Sequence, residues 1–362
     1  MRSYDLGNPE LDSQVRDLVK AAAGGPNGDI ISEIITTALK LRRDGAGRGD
    51  LKLLNTALKE MRYSMLVFSR HAEPKVTIFG SARVGEEDPN YRLAREFARI
   101  MAFERGWGVI TGAGPGIMEA GNQGAGREHS YGVNIRLPFE DESNPHIDPA
   151  RLINFKYFFT RKLGFVKESH AFALFPGGFG TLDETFELLT LIQTGKSDLH
   201  PIVMIEHQGT GYWPQLAGFV EESLLGRELI SPDDLALFTV TSDPQAAADA
   251  ICDFYANYQS QRYVDGRLVL RLRKAPDDDR LAQLNDEFAD IVVEGRIDLA
   301  TPSPAEVEDA DALDCARVAL TFDRRQFGRL RRLIDRLNTL VATPDHVHPP
   351  SPFTEEQQER PW

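Results

Sequence analysis

Residues 156–205 read KYFFTRKLGFVKESHAFALFPGGFGTLDETFELLTLIQTGKSDLHPIVMI. The pattern of apolar and polar residues predicts a helix, a buried strand (Ala171–Phe175), a glycine turn (Pro176–Thr181), a second helix and a second buried strand (Pro201–Ile205). Glycines at the end of a strand let backbone N–H groups converge, and the N-terminus of the next helix adds about half a positive charge. The stretch therefore predicts a binding site for an anion such as a phosphate group.

Strands and helices also alternate on either side of this stretch. Further short apolar segments read as strands at 75–79, 108–110, 132–136 and 238–240, and the last is followed by a predicted helix at 244–258. Strands that are apolar throughout and joined by helices are typical of a parallel sheet covered on both faces. The sequence therefore predicts an α/β fold, with a Rossmann-like nucleotide-binding domain at 73–258 whose ligand lies at the carboxyl ends of the strands.

The two ends of the chain differ from this central part. Residues 1–72 have apolar residues at helical spacing, interrupted by glycine-rich breaks, and predict a helical N-terminal extension of three helices. Residues 262–342 predict a small α+β domain with the ferredoxin-like order strand–helix–strand–strand–helix. We expect its acidic run to be solvated; the run comprises Glu306, Glu308, Asp309 and Asp311. Residues 343–362, rich in Pro, Gln and Glu, predict a disordered tail.

Composition limits the partners of the chain. Its 362 residues carry a net charge of −14 at pH 7, whereas nucleic acids and anionic membranes require a basic face, so neither is an expected partner. No apolar run reaches the roughly 18 residues that span a membrane, and the N-terminus lacks a signal pattern. Cys252 and Cys315 lack metal-ligand spacing and suit a reducing compartment. We therefore expect a cytoplasmic protein without a metal site.

A second glycine turn, Gly112-Ala113-Gly114-Pro115-Gly116, follows the predicted strand at 108–110. A dinucleotide-binding fingerprint requires glycine where Ile117 stands, and an acidic residue at the end of the next strand, where the chain reads Asn134-Ile135-Arg136. NAD or FAD is therefore not an expected cofactor. The turn either contacts another ligand, together with Glu119 in the first turn of the next helix, or is a plain tight turn.

Glu184 follows the first glycine turn, and its role has two interpretations. Thr181-Leu182-Asp183-Glu184 matches the T-x-x-E capping box, in which both side chains bond to the N-terminus of their own helix. Alternatively, the carboxylate serves a ligand, because we expect it in the first helical turn beside the anion site, with Glu187 and Thr190 following on the same face. Carboxylates beside an anion site repel the anion, which favours a second function for them.

The combined motifs resemble one protein family. A basic pair, Arg161-Lys162, precedes the run P-G-G-x-G-T-x-x-E at 176–184, and FGSAR at 79–83 and GAGPGIMEAGNQGA at 112–125 lie upstream. These motifs resemble those of the Lonely guy proteins, the cytokinin-activating phosphoribohydrolases also labelled possible lysine decarboxylases. The resemblance spans about residues 73–258, and the extensions on either side resemble those of the longer members of the family.

The resemblance implies a reaction and a set of site residues. The reaction is hydrolysis of the N-glycosidic bond of a nucleoside 5′-monophosphate, giving a free base and ribose 5-phosphate, with Arg161 and Glu184 as the catalytic pair. The candidate substrate-binding residues are Gly80, Ser81, Gly112, Gly114, Gly116, Glu119, Lys162, Gly177, Gly178, Phe179, Gly180, Thr181 and Thr190. No cofactor is expected, because the sequence shows no pyridoxal site for a decarboxylase. Relatives form dimers or higher oligomers, so the expected partners are a small-molecule nucleotide and further copies of the chain.

Two other functions remain open. A protein with this fold could sense a nucleotide without turning it over, or it could hydrolyse purine and pyrimidine nucleotides generally, unconnected with cytokinins. The turn at 112–119 differs from that of the short family members, so the resemblance leaves the preferred base open.

Overall fold

The computed structural model describes residues 4–22, 27–135, 143–308 and 312–350. The chain divides into two compact units, Met1–Arg62 and Tyr63–Trp362. Three helices begin in the first unit, as predicted from the spacing of apolar residues: α1 (Pro9–Ala22), α2 (Gly28–Arg43) and α3 (Arg48–Phe68). Helix α1 packs against α2, and α3 ends within the second unit.

A seven-stranded parallel sheet forms the centre of the second unit, which confirms the predicted Rossmann-like fold class. Its strands are β1 (Lys75–Phe79), β2 (Gly108–Thr111), β3 (Ser130–Ile135), β4 (Leu152–Phe155), β5 (Ala171–Leu174), β6 (Ile202–Ile205) and β7 (Phe238–Thr241). The order across the sheet is β4-β3-β2-β1-β5-β6-β7. Every residue of β1, β2, β5 and β6 is buried, as expected for strands covered on both faces. Strand β4 was not predicted, because its four residues, LINF, are too few to show strand periodicity.

Helices connect the strands and cover the sheet. They are α4 (Pro89–Arg99), α5 (Ile117–Ala125), α6 (Phe158–Glu168), α7 (Phe179–Gln193), α8 (Tyr212–Phe219) and α9 (Pro244–Phe254). Asp88 and Asp243 cap α4 and α9, each accepting a hydrogen bond from a backbone N–H of the first turn, with proline at the first helical position. Helix α4 packs against both α5 and α9.

The crevice of the sheet lies between β1 and β5. From β1 the chain winds outward through β2 to β4, and β5 begins the other half of the sheet on the opposite side of β1. Ligands of such folds bind at this reversal, at the carboxyl ends of the strands. The loops there are joined by backbone hydrogen bonds: Ser81 donates to the carbonyl of Pro176 at 3.0 Å, and Ile117 donates to the carbonyl of Ser81 at 2.9 Å.

The second sheet is antiparallel, with four strands in the order β10-β11-β9-β8. The strands are β8 (Tyr258–Val264), β9 (Arg267–Leu272), β10 (Val292–Ala300) and β11 (Ala316–Phe322), and the helices are α10 (Asp278–Glu287), α11 (Pro304–Glu308) and α12 (Phe327–Asn338). The predicted order lacked β8, whose first residue was assigned to the preceding helix. That helix ends at Phe254 because the N–H groups of Asn257 and Tyr258 donate to the Asn338 side chain at 3.0 and 2.8 Å. The division into domains at 73–258 and 262–342 stays a prediction.

The prediction that the acidic run is solvated is wrong for Glu306, and the rest of the run and the end of the tail are largely not described. Glu306 is buried, not solvated, and its carboxylate accepts hydrogen bonds from Arg271 at 2.6 Å and Arg317 at 3.3 Å. Burial raises its pKa, but the Ser303 N–H and the two guanidinium groups outweigh burial and lower the pKa to about 2. Asp309, Asp311 and residues 351–362 lie outside the described residues.

Two further features complete the fold. Within the predicted tail, the carbonyl of Pro350 lies 2.8 Å from Nε2 of His170, the residue before β5. None of the helices in the described part of the chain combines the length and apolar character that crossing a bilayer requires.

Candidate active site

A cleft of about 860 Å³ lies at the carboxyl ends of β1, β2 and β5. It is lined by Phe79–Arg83 after β1, by Gly112 and Gly114 after β2, by Gly177–Glu184 after β5, and by the side chains of Met118, Ile135, Phe158, Arg161 and Tyr212. The lining therefore combines two glycine turns, two arginines, a buried carboxylate and several apolar side chains.

The first glycine turn leads directly into α7. Gly178 is the N-cap residue and the helix begins at Phe179, so Thr181 lies inside the first turn and Glu184 in the second. The capping-box interpretation of Thr181 is therefore wrong, as is the expected place of Glu184 in the first turn. A Cβ at Gly177 would collide with the side chain of Thr181, whereas Gly178 and Gly180 face open space. Because the first N–H groups of a helix have no acceptor within it, this loop presents donors to the cleft.

Glu184 is the buried carboxylate of the cleft, with 11% of its side chain exposed. Burial raises its pKa to about 7 from the ordinary 4.5, and the repulsion of Glu187 and Asp183 adds to the rise. Lys162 opposes the rise with its ammonium 3.5 Å from the carboxylate, and Arg161 opposes it less. Glu184 is therefore poised to exchange a proton near neutral pH.

Lys162 lies on α6 and faces three carboxylates of α7. Its ammonium is 2.7 Å from Glu187, 2.9 Å from Asp183 and 3.5 Å from Glu184. Burial lowers the pKa of Lys162, but these carboxylates outweigh burial and raise it. The ammonium is therefore charged at any physiological pH.

The side chain of Arg161, the neighbour of Lys162, contacts the backbone of Val133 and the ring of Phe165. Its Nε donates to the carbonyl of Val133 at 2.8 Å, and its guanidinium carbon lies 5.2 Å from the centre of the Phe165 ring. A Cβ at Gly112 would collide with Nη2 of Arg161. Gly112 is therefore glycine because the guanidinium packs against the backbone at that point.

Side-chain hydrogen bonds support the second glycine turn. Thr111 Oγ1 accepts from the N–H of Ala113 at 3.0 Å and donates to the side chain of Asn122 at 2.6 Å. The Asn144 side chain donates to Asn122 at 3.0 Å and to the carbonyl of Gly114 at 3.1 Å. This polar network fixes the shape of the turn.

Met118 covers the same turn on the cleft side. A Cβ at Gly112 or Gly114 would lie 2.7 Å from its thioether group, and Gly116, with φ +70°, packs against the carbonyl of Ser81. Close packing therefore explains the glycines at 112, 114 and 116, and the turn forms a wall of the cleft.

The structure brings most of the predicted site residues together. Those that line the cleft are Gly80, Ser81, Gly112, Gly114, Arg161, Gly177, Gly178, Phe179, Gly180, Thr181 and Glu184. Four others lie outside this lining: Gly116 packs on Ser81, Lys162 faces the carboxylates of α7, Glu119 is half-buried in the first turn of α5, and Thr190 is exposed. Thr190 follows Glu184 by six residues, about 9 Å along the helix. The roles of all these residues stay predictions.

Tyr212 is a cleft residue that the sequence analysis missed. Its hydroxyl donates to the carbonyl of Gly177 at 2.8 Å, which ties the start of α8 to the glycine loop. Glu206 holds Tyr212 there, because its carboxylate accepts from the N–H groups of Gly211 at 2.8 Å and Trp213 at 2.9 Å. The available signal was Glu206 itself, an acidic residue directly after an apolar strand. Arg83, Met118, Ile135 and Phe158 were also missed.

Comparisons with known proteins agree with the motifs. Residues 116–251 match the family described as "Possible lysine decarboxylase", which confirms the resemblance drawn from the sequence. The pyrimidine/purine nucleotide 5′-monophosphate nucleosidase of Escherichia coli K12 is 26% identical over 183 residues, 48% of this chain and 40% of that protein. The cytokinin riboside 5′-monophosphate phosphoribohydrolase of Arabidopsis thaliana is 35% identical over 86 residues, 24% of this chain and 38% of that protein.

These matches are partial. Each covers less than half the length of the curated relative. Among solved structures, the molybdenum cofactor carrier protein of Chlamydomonas reinhardtii aligns with a TM-score of 0.35 at 20% identity, over 49% of this chain and 96% of that chain.

Proposed function

We propose that this chain, whose residues 116–251 match the family described as possible lysine decarboxylases, hydrolyses the N-glycosidic bond of a nucleoside 5′-monophosphate to a free base and ribose 5-phosphate. The observation that carries the proposal is the Glu184 carboxyl, which lines the cleft one helical turn beyond the glycine loop. The names of two relatives, a nucleotide 5′-monophosphate nucleosidase and a riboside 5′-monophosphate phosphoribohydrolase, support this reaction class.

The glycine loop is the proposed phosphate site. Gly178 and Gly180 carry no side chain into the cleft, so a phosphate can approach the backbone N–H groups at the start of α7. The helix dipole favours an anion at this end. Binding energy from the phosphate, which does not react, then positions the sugar beside Glu184.

Glu184 acts on the sugar. Breaking the N-glycosidic bond develops positive charge on the ribose ring, and a fixed carboxylate stabilises that charge more in the transition state than in the ground state. The same carboxylate orients or deprotonates the attacking water. Both roles require the ionised form, so the fraction of ionised Glu184, which changes near pH 7, sets the rate.

The two basic residues of α6, Arg161 and Lys162, have different proposed roles. Lys162, rather than Arg161, is the cation with the larger effect on the Glu184 pKa. The backbone bond to Val133 fixes the Arg161 guanidinium beside Gly112, at the wall of the cleft. Arg161 is therefore assigned to the substrate, contacting the sugar or the leaving base.

We assign the base to the apolar part of the cleft lining. Met118, Ile135 and Phe158 belong to this lining, and Met118 packs against the second glycine turn. A thioether and an aromatic ring suit the faces of a heterocycle. Thr190 and Glu119 are kept as predicted substrate contacts on the strength of the family resemblance alone.

A nucleotide panel tests the proposal. The full chain is incubated with AMP, GMP, CMP, UMP and an N6-substituted AMP, and free base and ribose 5-phosphate are both quantified. The matched controls are the corresponding nucleosides, which lack the phosphate, and the Glu184→Gln variant. Equimolar base and sugar phosphate from at least one nucleotide, and far less from its nucleoside, is the expected result. Binding without release of base from any of them would identify a nucleotide sensor instead.

We further propose a cytoplasmic homo-oligomer. Exposed apolar side chains lie on α6 and α7, namely Phe158, Phe159, Leu163, Phe179 and Phe186, and exposed apolar surface favours association. Both cysteines are free, which suits a reducing compartment. Light scattering of the full chain tests the oligomer, with a Leu163→Glu/Phe186→Glu variant expected to have a lower mass.

A further inference from the structure

Three carboxylates of α7 compete for one ammonium beside the cleft. Asp183 and Glu187 lie 2.9 and 2.7 Å from Lys162, at hydrogen-bond distance, whereas Glu184 lies 3.5 Å away. The two closer carboxylates are also the more exposed, at 62% and 33% of the side chain, against 11% for Glu184. The carboxylate with the greatest need of a counter-ion is thus the one that Lys162 pairs with least closely.

We propose that Asp183 and Glu187 are positioning residues that hold the Lys162 ammonium away from Glu184 and thereby set the pH at which Glu184 ionises. The proposal rests on the proposed function for its catalytic meaning, and on the geometry of these four residues for its physical content. The ammonium occupies one position, and its contacts with Asp183 at 2.9 Å and Glu187 at 2.7 Å leave it 3.5 Å from Glu184, beyond the usual length of a charged hydrogen bond.

The charged groups with the largest effects on Glu184 lie on two helices. From α6 they are Lys162 and Arg161, and from α7 they are Asp183 and Glu187. The two carboxylates raise the Glu184 pKa directly by repulsion. We infer an additional, indirect effect through Lys162, which distinguishes positioning from simple repulsion.

A titration of the full chain, labelled with ¹³C at the glutamate carboxyl carbons, measures the midpoint of Glu184 directly. The Glu184 signal is identified by its loss in Glu184→Gln. In Glu187→Gln the midpoint falls by about one pH unit, because a like charge is removed and Lys162 is released towards Glu184. In Lys162→Met the midpoint rises by a similar amount.

The decisive comparison is the effect of Glu187→Gln with and without Lys162. The indirect effect requires Lys162, so in the Lys162→Met background the shift shrinks to less than half. An equal shift in both backgrounds, or none in either, overturns the proposal. Glu168→Gln is the matched control, because it removes a carboxylate paired with the neighbouring Lys167 at 2.7 Å and leaves the Glu184 midpoint unchanged.

Activity provides a second readout. The pH profile of kcat/KM follows the same midpoints in each variant if Glu184 is catalytic. If no nucleotide is hydrolysed, the proposed function fails while the ¹³C titration still decides this inference. Should Glu187→Gln not fold, Asp183→Asn, at a more exposed position, gives the same direction of shift.

Discussion

The Lys162 ammonium lies 3.5 Å from the Glu184 carboxylate, yet burial keeps the pKa of Glu184 at about 7. The ion pair is therefore too weak to keep the carboxylate fully ionised at neutral pH. A carboxyl group that is half ionised near pH 7 at the edge of an anion-binding loop suits a catalyst that must gain and lose a proton.

The first prediction concerns turnover. Glu184→Gln keeps the size of the side chain and removes its charge, so kcat falls about 10²–10⁴-fold while nucleotide binding is largely retained. In the wild type, kcat/KM rises with pH through a midpoint near 7, because the ionised form is the active one. Steady-state assays from pH 5 to 9 and a binding titration check both points. Wild-type turnover in the variant would remove Glu184 from the mechanism.

The second prediction concerns stability. The folded-state pKa of Glu184 is about 7 against an ordinary 4.5, so between these values the folded chain binds a proton that the unfolded chain does not. The unfolding free energy therefore falls as pH rises from 4.5 to 7, by up to about 3 kcal/mol from this group. In Glu184→Gln this decrease of the unfolding free energy is absent, because the amide does not ionise. Urea unfolding at pH 5 and pH 8 should show a smaller decrease for the variant than for the wild type, and parallel decreases would contradict it.

The third prediction separates the shape of the glycine loop from its function. A Cβ at Gly177 meets the Thr181 side chain and lies 3.0 Å from the N–H nitrogen of Ser81, whereas a Cβ at Gly178 meets nothing within 4 Å. Gly177→Ala therefore destabilises the fold by about 1–3 kcal/mol. Gly178→Ala leaves the melting temperature unchanged but weakens nucleotide binding about tenfold, because its methyl group enters the phosphate site. Unchanged binding in Gly178→Ala would place the phosphate elsewhere.

The fourth prediction concerns Tyr212. Its hydroxyl bond to the carbonyl of Gly177 joins α8 to the loop, and Tyr212→Phe removes that bond alone. A neutral hydrogen bond contributes about 0.5–1.5 kcal/mol, so KM rises about 2- to 10-fold with little change in kcat. Tyr63→Phe, an exposed tyrosine of α3, serves as the control. A fall in kcat at unchanged KM would instead give the hydroxyl a role in the chemistry.

Periodicity and glycine placement predicted the fold because they are local properties. Apolar strands such as Ala171–Leu174 and the turn after them can be recognised within a few residues. Strand β4 was missed because a strand of four residues that includes a polar Asn154 gives little periodic signal. The end of α9 was missed for a different reason, since Asn338, far along the chain, supplies the acceptor at the start of β8.

The candidate site, like the fold, could be predicted only where the signal is local in the sequence. The motif predicted that Arg161, Glu184 and the loop at 177–181 would line one cleft, and the structure places all of them there. It could not show that Met118 covers the second glycine turn, or that Glu206 holds Tyr212 against Gly177. These contacts join different loops, and no local pattern encodes them.

The fifth prediction concerns the C-terminal sheet, where Glu306 is only 1% exposed between Arg271 and Arg317. Removing one partner of a buried ion pair leaves uncompensated charge, so Glu306→Gln lowers the unfolding free energy by about 3–5 kcal/mol. Glu287→Gln is the matched control, because the same change at a pair 43% exposed on both sides costs at most about 1 kcal/mol.

The pH dependence of this effect has the opposite sign to that of Glu184. The pKa of Glu306 is lowered to about 2, so its stabilising effect is complete above the ordinary value of 4.5 and is lost as pH falls from there towards 2. The difference in unfolding free energy between the wild type and Glu306→Gln, measured with urea, is therefore largest at pH 7 and becomes smaller in acid. A constant deficit from pH 7 to pH 3 would mean that the variant loses packing alone, with no part played by the charge of Glu306.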